Sequence, residues 1–268
     1  MTDGGPGGGR GARADGSRAW PRQDVVEALG QLASTQSDRR EAAYEALAAY
    51  TREAAATERL PWLLDQALSQ LWEGLRRLDA DAVFQRAFAL LVVAEVLAAD
   101  GVLPGLDAGA TRRALGLLLR HARAERDVRG FVPGKGWAHA YAHAADALAA
   151  AACHPRLTTP DVRALARAVS HLVRHAPGPL RFDEDERLAL AVTACARRMP
   201  LDPVFWRTWI GRLLQPFPSA PPMAVVAHAQ AKAFARCLLL RLRWQGLGDI
   251  AAMLEARLRA VDAYGAAN

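Results

Sequence analysis

Lysine is nearly absent from this chain. Lys135 and Lys232 are the only two among 34 basic residues, so the excess of base over acid, 34 to 28, and the pI of 9.8 reflect arginine usage. The first 22 residues hold four arginines and two aspartates, and without them the net charge of +6 falls to +4. Charge so thin and scattered forms no stripe for tracking phosphates, and nucleic acid is not expected as a partner. Cysteine is scarce as well. Cys153, Cys195 and Cys237 are odd in number, widely spaced and set among apolar residues, which excludes a disulfide framework and indicates reduced thiols in a cytoplasmic protein. The most apolar segment, AFALLVVAEVLAA at 87–99, carries Glu95 and falls short of the ~20 residues that span a bilayer, so no membrane segment is expected. The N-terminus, MTDGGPGGGRGARADGSRAWPRQ, lacks the apolar centre of a secretory signal. Residues 1–22 read as a disordered Gly/Arg-rich tail, in which GGGRGAR is a single short copy of an RNA-binding composition.

No stretch alternates apolar and polar residues as a strand does, whereas from Asp24 onward apolar residues recur at three- and four-residue intervals. The body, 23–264, therefore reads as a single all-α domain with no sheet. Its helices are expected at about 24–34, 38–57, 61–77, 81–99, 109–124, 137–152, 159–175, 183–199, 203–214, 221–245 and 248–262. Ser37 or Asp38 can cap one of them, TTPD at 158–161 supplies a Thr cap followed by proline, and DGVLPG and APGP break the chain between elements. Short connections predict stacked antiparallel hairpins. Cys153, Cys195 and Cys237 lie 42 residues apart, as do ALAAAAC and ALAVTAC. That period suits a HEAT-like curved layer of helix pairs, although alanine-rich helices also match one another by chance.

Four segments in order, DAVFQRAFALLVVAEVL, ERDVRGFVPGKGWAHAYAHAADAL, FDEDERLALAV and AKAFARCLLLRL, resemble the bacterial family known as domain of unknown function 2785. The resemblance extends from about residue 24 to 262 and implies a helical fold of unassigned activity. It supplies no catalytic residue to carry over, so the chemistry rests on the residues themselves.

On a helix starting near Trp137, His139, His143 and Asp146 fall within about a 60° arc, with Trp137, Tyr141 and Leu148 opposite and alanine on the flanks. This pattern predicts Trp137 buried and the polar arc turned to a groove, or else a solvated polar face. Two histidines at i and i+4 can also share a divalent ion such as zinc, the spacing of H-E-x-x-H sites, but Ala140 stands where that motif has its glutamate. His171 and His175 repeat the spacing without a companion motif. Asp146 lies about 10.5 Å along the axis from His139 and three residues from His143, where it is expected to orient that imidazole. Before the helix, Asp127 and Arg129 precede a glycine-rich turn that delivers Lys135, and that turn reads either as an ion-paired loop or as an anion site. The acids at 183–186 suit a helix start, and Glu184 or Asp185 could instead face the two histidines and complete a mixed site. Trp206 and Trp209 read as core. Two classes of function stay open: a non-catalytic binding module that grips a protein, peptide or small molecule in a groove lined by His139, His143, Asp146, Lys135, Asp127 and Arg129, and a metal-dependent hydrolase built on His139 and His143.

Overall fold

A computed structural model describes residues 21–54, 59–75, 81–216 and 222–262. The expected tail lies almost entirely outside the described residues, as does the expected domain end at 264. Among the described residues the protein is all-α, with eleven helices: α1 (Arg22–Gln31), α2 (Ser37–Ala54), α3 (Leu60–Gln70), α4 (Ala82–Val102), α5 (Ala108–Ala124), α6 (Ala140–Cys153), α7 (Thr159–His175), α8 (Glu184–Arg198), α9 (Pro203–Leu213), α10 (Met223–Trp244) and α11 (Gly248–Ala260). Local chemistry sets most of their starts. The Asp107 carboxylate accepts from the Ala110 amide and caps α5; Thr158 and Asp161 form a reciprocal capping box ahead of Pro160 on α7; Asp202 accepts from the Phe205 amide just before Pro203.

Some helices adjacent in sequence pack on one another, among them α1 on α2, α3 on α4, α7 on α8 and α10 on α11, and the contacts sort the helices into two layers. The even-numbered helices pack side by side in the order α2, α4, α6, α8, α10, and α3, α5, α7, α9 and α11 form the second row. Within the first row α6 and α8 run the same way, since His139 meets Glu184 at their starts and Arg198 at the end of α8 donates to the Ala152 and His154 carbonyls at the end of α6. Alanine is what lets α6 sit between α4 and α8. Ala140, Ala144, Ala145, Ala147 and Ala151 are all buried, and such small side chains allow the close approach of neighbouring helices. Trp206 and Trp209 are buried as expected, each donating its indole N–H to a backbone carbonyl, of Met199 and Ala166.

Several expectations need correcting. A two-residue antiparallel ribbon, β1 (Phe131–Val132) with β2 (Gly136–Trp137), precedes α6, which therefore begins at Ala140 and not near Trp137. Trp137 lies on that ribbon and is 39% exposed, while Tyr141 and Leu148 are buried. The apolar segment in α4 is longer than read: the helix has 21 residues and is apolar enough to cross a membrane by length and composition, with 61% of its most apolar window buried inside the fold. It is the core helix between α2, α3 and α6. The cysteine spacing does not mark equivalent positions. Cys153 ends α6 and is exposed, Cys195 is buried near the end of α8, and Cys237 is half-buried in the middle of α10.

These placements make opposite predictions for two large residues. Leu148→Ala, at a site 1% exposed, should cost about 2–5 kcal/mol, whereas Trp137→Ala should cost about 1 kcal/mol or less. Urea denaturation of the two variants checks the order.

Candidate functional site

The ribbon that carries Trp137 is held from beneath by buried charge. Arg86 of α4 and Glu125, at the end of α5, are both fully buried, and the guanidinium donates to the carboxylate at 2.6 and 3.2 Å. The same carboxylate accepts from the Arg126 and Asp127 amides at 2.9 and 2.8 Å. Burial alone would raise the Glu125 pKa, but His121 and Arg86 beside it outweigh that and hold it at about 2. Asp127 lies 3.7 Å from Arg86 and takes a two-point bond from Arg129. Backbone bonds continue the chain of support: the Ala138 amide donates to Gly130 and the His139 amide to Arg129.

A second arginine grips the turn from above. Arg40 of α2 is fully buried and donates to the carbonyls of Ser34, Lys135 and Trp137 at 2.6, 2.8 and 3.2 Å, with its guanidinium 4.2 Å from the Phe84 ring centroid. Gly136 has φ +78°, and a Cβ there would come within 2.8 Å of Ser37, so only glycine satisfies both the backbone and the packing. Lys135 faces Asp81 at 2.7 Å. Asp127, Arg129 and Lys135 are thus engaged in ion pairs that build the loop.

Among the described residues two that are not glycine hold left-handed backbone, His139 at φ 49° and Asp183 at φ 60°, and they are the N-caps of α6 and α8. Their helices present His139 and Glu184 to each other, with Nε2 and Oε1 3.7 Å apart. Asp185 turns to its own helix, its carboxylate accepting from the Glu186 amide. The His139 ring stacks on Trp137 at 4.3 Å, and Phe131 and Phe182 meet the Trp137 ring edge-on at 5.1 and 5.8 Å. Burial lowers the His139 pKa, with Arg187 adding to the effect.

His143 lies deeper, on α6. Its Nδ1 bonds to the Ala87 carbonyl at 3.2 Å and therefore carries the proton. Burial, with the neighbouring His139 and Arg187, drops its pKa to about 3, so the ring is neutral. The two imidazoles are 6.0 Å apart between centroids and nearly perpendicular. They do not share one helical face, because His139 stands outside the helix. Among the described residues no group of three or more His, Cys, Asp or Glu is disposed to hold a metal ion.

Asp146 does not orient His143. Its carboxylate is taken by Arg187 of α8, through Nε at 2.8 Å and through Nη2, a charge-assisted two-point bond that outcompetes a neutral imidazole. Beyond it the Tyr44 hydroxyl of α2 donates to Glu95 of α4 at 2.8 Å. Arg187, Tyr44, Glu95 and Phe182 were not anticipated from the sequence. Arg187 had a signal, since it stands three residues after Glu184 and so on the same side of α8; Tyr44 and Glu95 come from distant segments and had none.

Two rows of alternating helices, with an aromatic and histidine lip anchored on the first row, define a layered all-helical domain. The family described as "Protein of unknown function (DUF2785)" matches residues 71–240, and the chain belongs to it. The matched span holds every residue of the lip and its lower anchor; Arg40 and Tyr44 lie before it. No curated protein and no solved structure matches the chain.

Removing one partner of the buried pair should show what it anchors: Arg86→Met should cost about 3–5 kcal/mol, and adding Glu125→Gln, which removes the stranded charge but keeps an oxygen for the Arg126 and Asp127 amides, should recover part of the loss in denaturant unfolding. A second outcome concerns pH. His143 has a folded pKa of about 3, against about 6.5 unfolded, so the unfolded chain binds an extra proton between those values and stability falls as pH drops below about 6.5. His143→Gln, which keeps a donor for Ala87, should reduce that slope by up to about 1.4 kcal/mol per pH unit. An unchanged slope between pH 6 and 4 would place the ring in contact with solvent.

Proposed function

We propose that this chain is a non-catalytic binding module whose ligand docks against the starts of α6 and α8, in a groove bordered by His139, Asp146 and Arg187 with Trp137 and Phe182 as its lip and His143 buried behind it. The observation that carries this reading is three neighbouring aromatic rings left in contact with solvent on anchored backbone, close to the two left-handed residues His139 and Asp183. Phe131, Trp137 and Phe182 are 48%, 39% and 40% exposed. Exposed apolar clusters mark interaction sites more often than they serve the fold, and left-handed non-glycine residues persist only where their surroundings enforce them. Buried Arg40 and Arg86 supply that enforcement here. The reading places the ligand's apolar part on the aromatic rim and its polar part on the His139 side. A cytoplasmic setting with reduced thiols suits the three free cysteines.

A panel of several hundred metabolites and short peptides, scanned by thermal shift, tests the proposal. At about a hundredfold excess over Kd a ligand contributes about 2.7 kcal/mol, a rise of several degrees for a domain of this size. Trp137→Ala and His139→Ala should each unfold near the wild-type temperature and lose that rise. If no compound in the panel gives a shift that these variants abolish, the reading fails. A stoichiometric zinc ion in the tag-free protein, lost in His139→Ala, would favour the metal-dependent hydrolase reading instead.

A further inference from the structure

Glu184 is almost completely buried, at 1% exposure, yet only half of its carboxylate is used. Oε2 accepts from the Arg181 and Phe182 amides at 3.0 and 2.8 Å, while Oε1 has no hydrogen-bond partner. His139 presents a matching atom. The Phe182 backbone beside its ring favours a proton there, and since the Phe182 amide is already given to Glu184, the group that meets the ring is the carbonyl. A carbonyl accepts, so the ring donates there. Nε2 has no partner, which leaves Nδ1 as the donor and Nε2, in the neutral ring, as a bare acceptor. Two acceptors therefore face each other at 3.7 Å across a buried corner. Acceptors cannot satisfy each other, and a donor with at least two hydrogens placed between them would satisfy both.

The surroundings select the charge of that donor. Arg187, the nearest guanidinium on α8, is committed to Asp146 by two bonds. Asp183, Asp185 and Glu186 flank the corner in sequence. The N-termini of α6 and α8 oppose a cation, each with about half a positive charge, but the full charges of Asp183 and Asp185 exceed them, Glu186 being paired with Arg241. Trp137 and Phe182 add ring faces and edges beside the corner, still partly open to solvent, and aromatic faces attract cations.

We propose that the corner between His139 and Glu184 is a subsite for an N–H-bearing organic cation, an ammonium or amidinium group that donates to Nε2 and Oε1 while its apolar body lies on Trp137 and Phe182. The proposal rests on the binding-module reading and names the chemistry of its ligand. Benzylammonium, benzamidinium, benzyl alcohol and phenylacetate, titrated into the full chain and followed by calorimetry at millimolar concentrations, test it without any variant. At least one cation should bind saturably, and at least tenfold more tightly than the alcohol or the carboxylate; the preferred cation tells ammonium from amidinium. Glu184→Gln keeps an oxygen for the Arg181 and Phe182 amides and should weaken the cation tenfold or more. His139→Asn, a residue that tolerates left-handed backbone, should also weaken it. Equal binding of benzyl alcohol, unchanged cation binding in Glu184→Gln, or no binding of either cation would overturn the proposal. If the thermal-shift panel yields neutral or anionic ligands sensitive to Trp137→Ala, the binding-module reading survives and the cation subsite falls.

Discussion

The buried ion pair between Arg86 and Glu125 is the contact on which the arrangement of this protein turns. A charge removed from water is tolerated only with a partner and full hydrogen bonding, and Glu125 meets that condition by taking two guanidinium N–H groups and two backbone amides at once. Those amides belong to the residues that leave α5, so the pair that neutralises Arg86 also fixes the direction in which the chain departs. The ribbon, the start of α6 and the lip follow from that direction. An apolar pair of similar volume would avoid the cost of burying charge, but it would leave the Arg126 and Asp127 amides without acceptors.

From that anchor the strain at the site becomes intelligible. His139 adopts φ 49° because its amide is tied to Arg129 on one side, while on the other Trp137 is held by Arg40 through its carbonyl. Across the corner Asp183 adopts φ 60° where Glu184 gathers the Arg181 and Phe182 amides. One strained residue, His139, thus supplies its own side chain to the corner, and the other, Asp183, precedes the helix whose first residue, Glu184, supplies the second. Close packing underlies the juxtaposition: a Cβ at Gly130 would lie 2.1 Å from the Phe182 side chain, so that ring rests directly on the Gly130 backbone just before the ribbon.

The alanines of α6 do on a larger scale what Gly130 does locally. They bring α4 and α8 near enough for Asp146 to meet Arg187 and for His143 to reach the Ala87 carbonyl. A helix of bulkier residues would separate these partners. The polar groups of the first row are therefore joined in pairs across helices, and the half-used Glu184 carboxylate and the bare nitrogen of His139 stand out against that background.

Helix number and approximate position were legible in the sequence because caps, prolines and apolar periodicity act over a few residues. The motif from Glu125 to Asp146 was also legible as the centre of interest, and Glu184 as a candidate to face it. Residue spacing misled where the backbone departs from a helix. His139 and His143 have i, i+4 spacing, but the helix starts at Ala140, since Arg40, some 97 residues before Trp137 in the chain, holds the preceding turn as a ribbon. Asp146 chose Arg187, 41 residues on, over its helical neighbour, because a guanidinium offers two charged donors where a neutral imidazole offers none to spare. Sequence alone determined the helices and the chemical groups at hand. Tertiary structure decided which groups meet, because buried charge must find partners wherever the fold brings them.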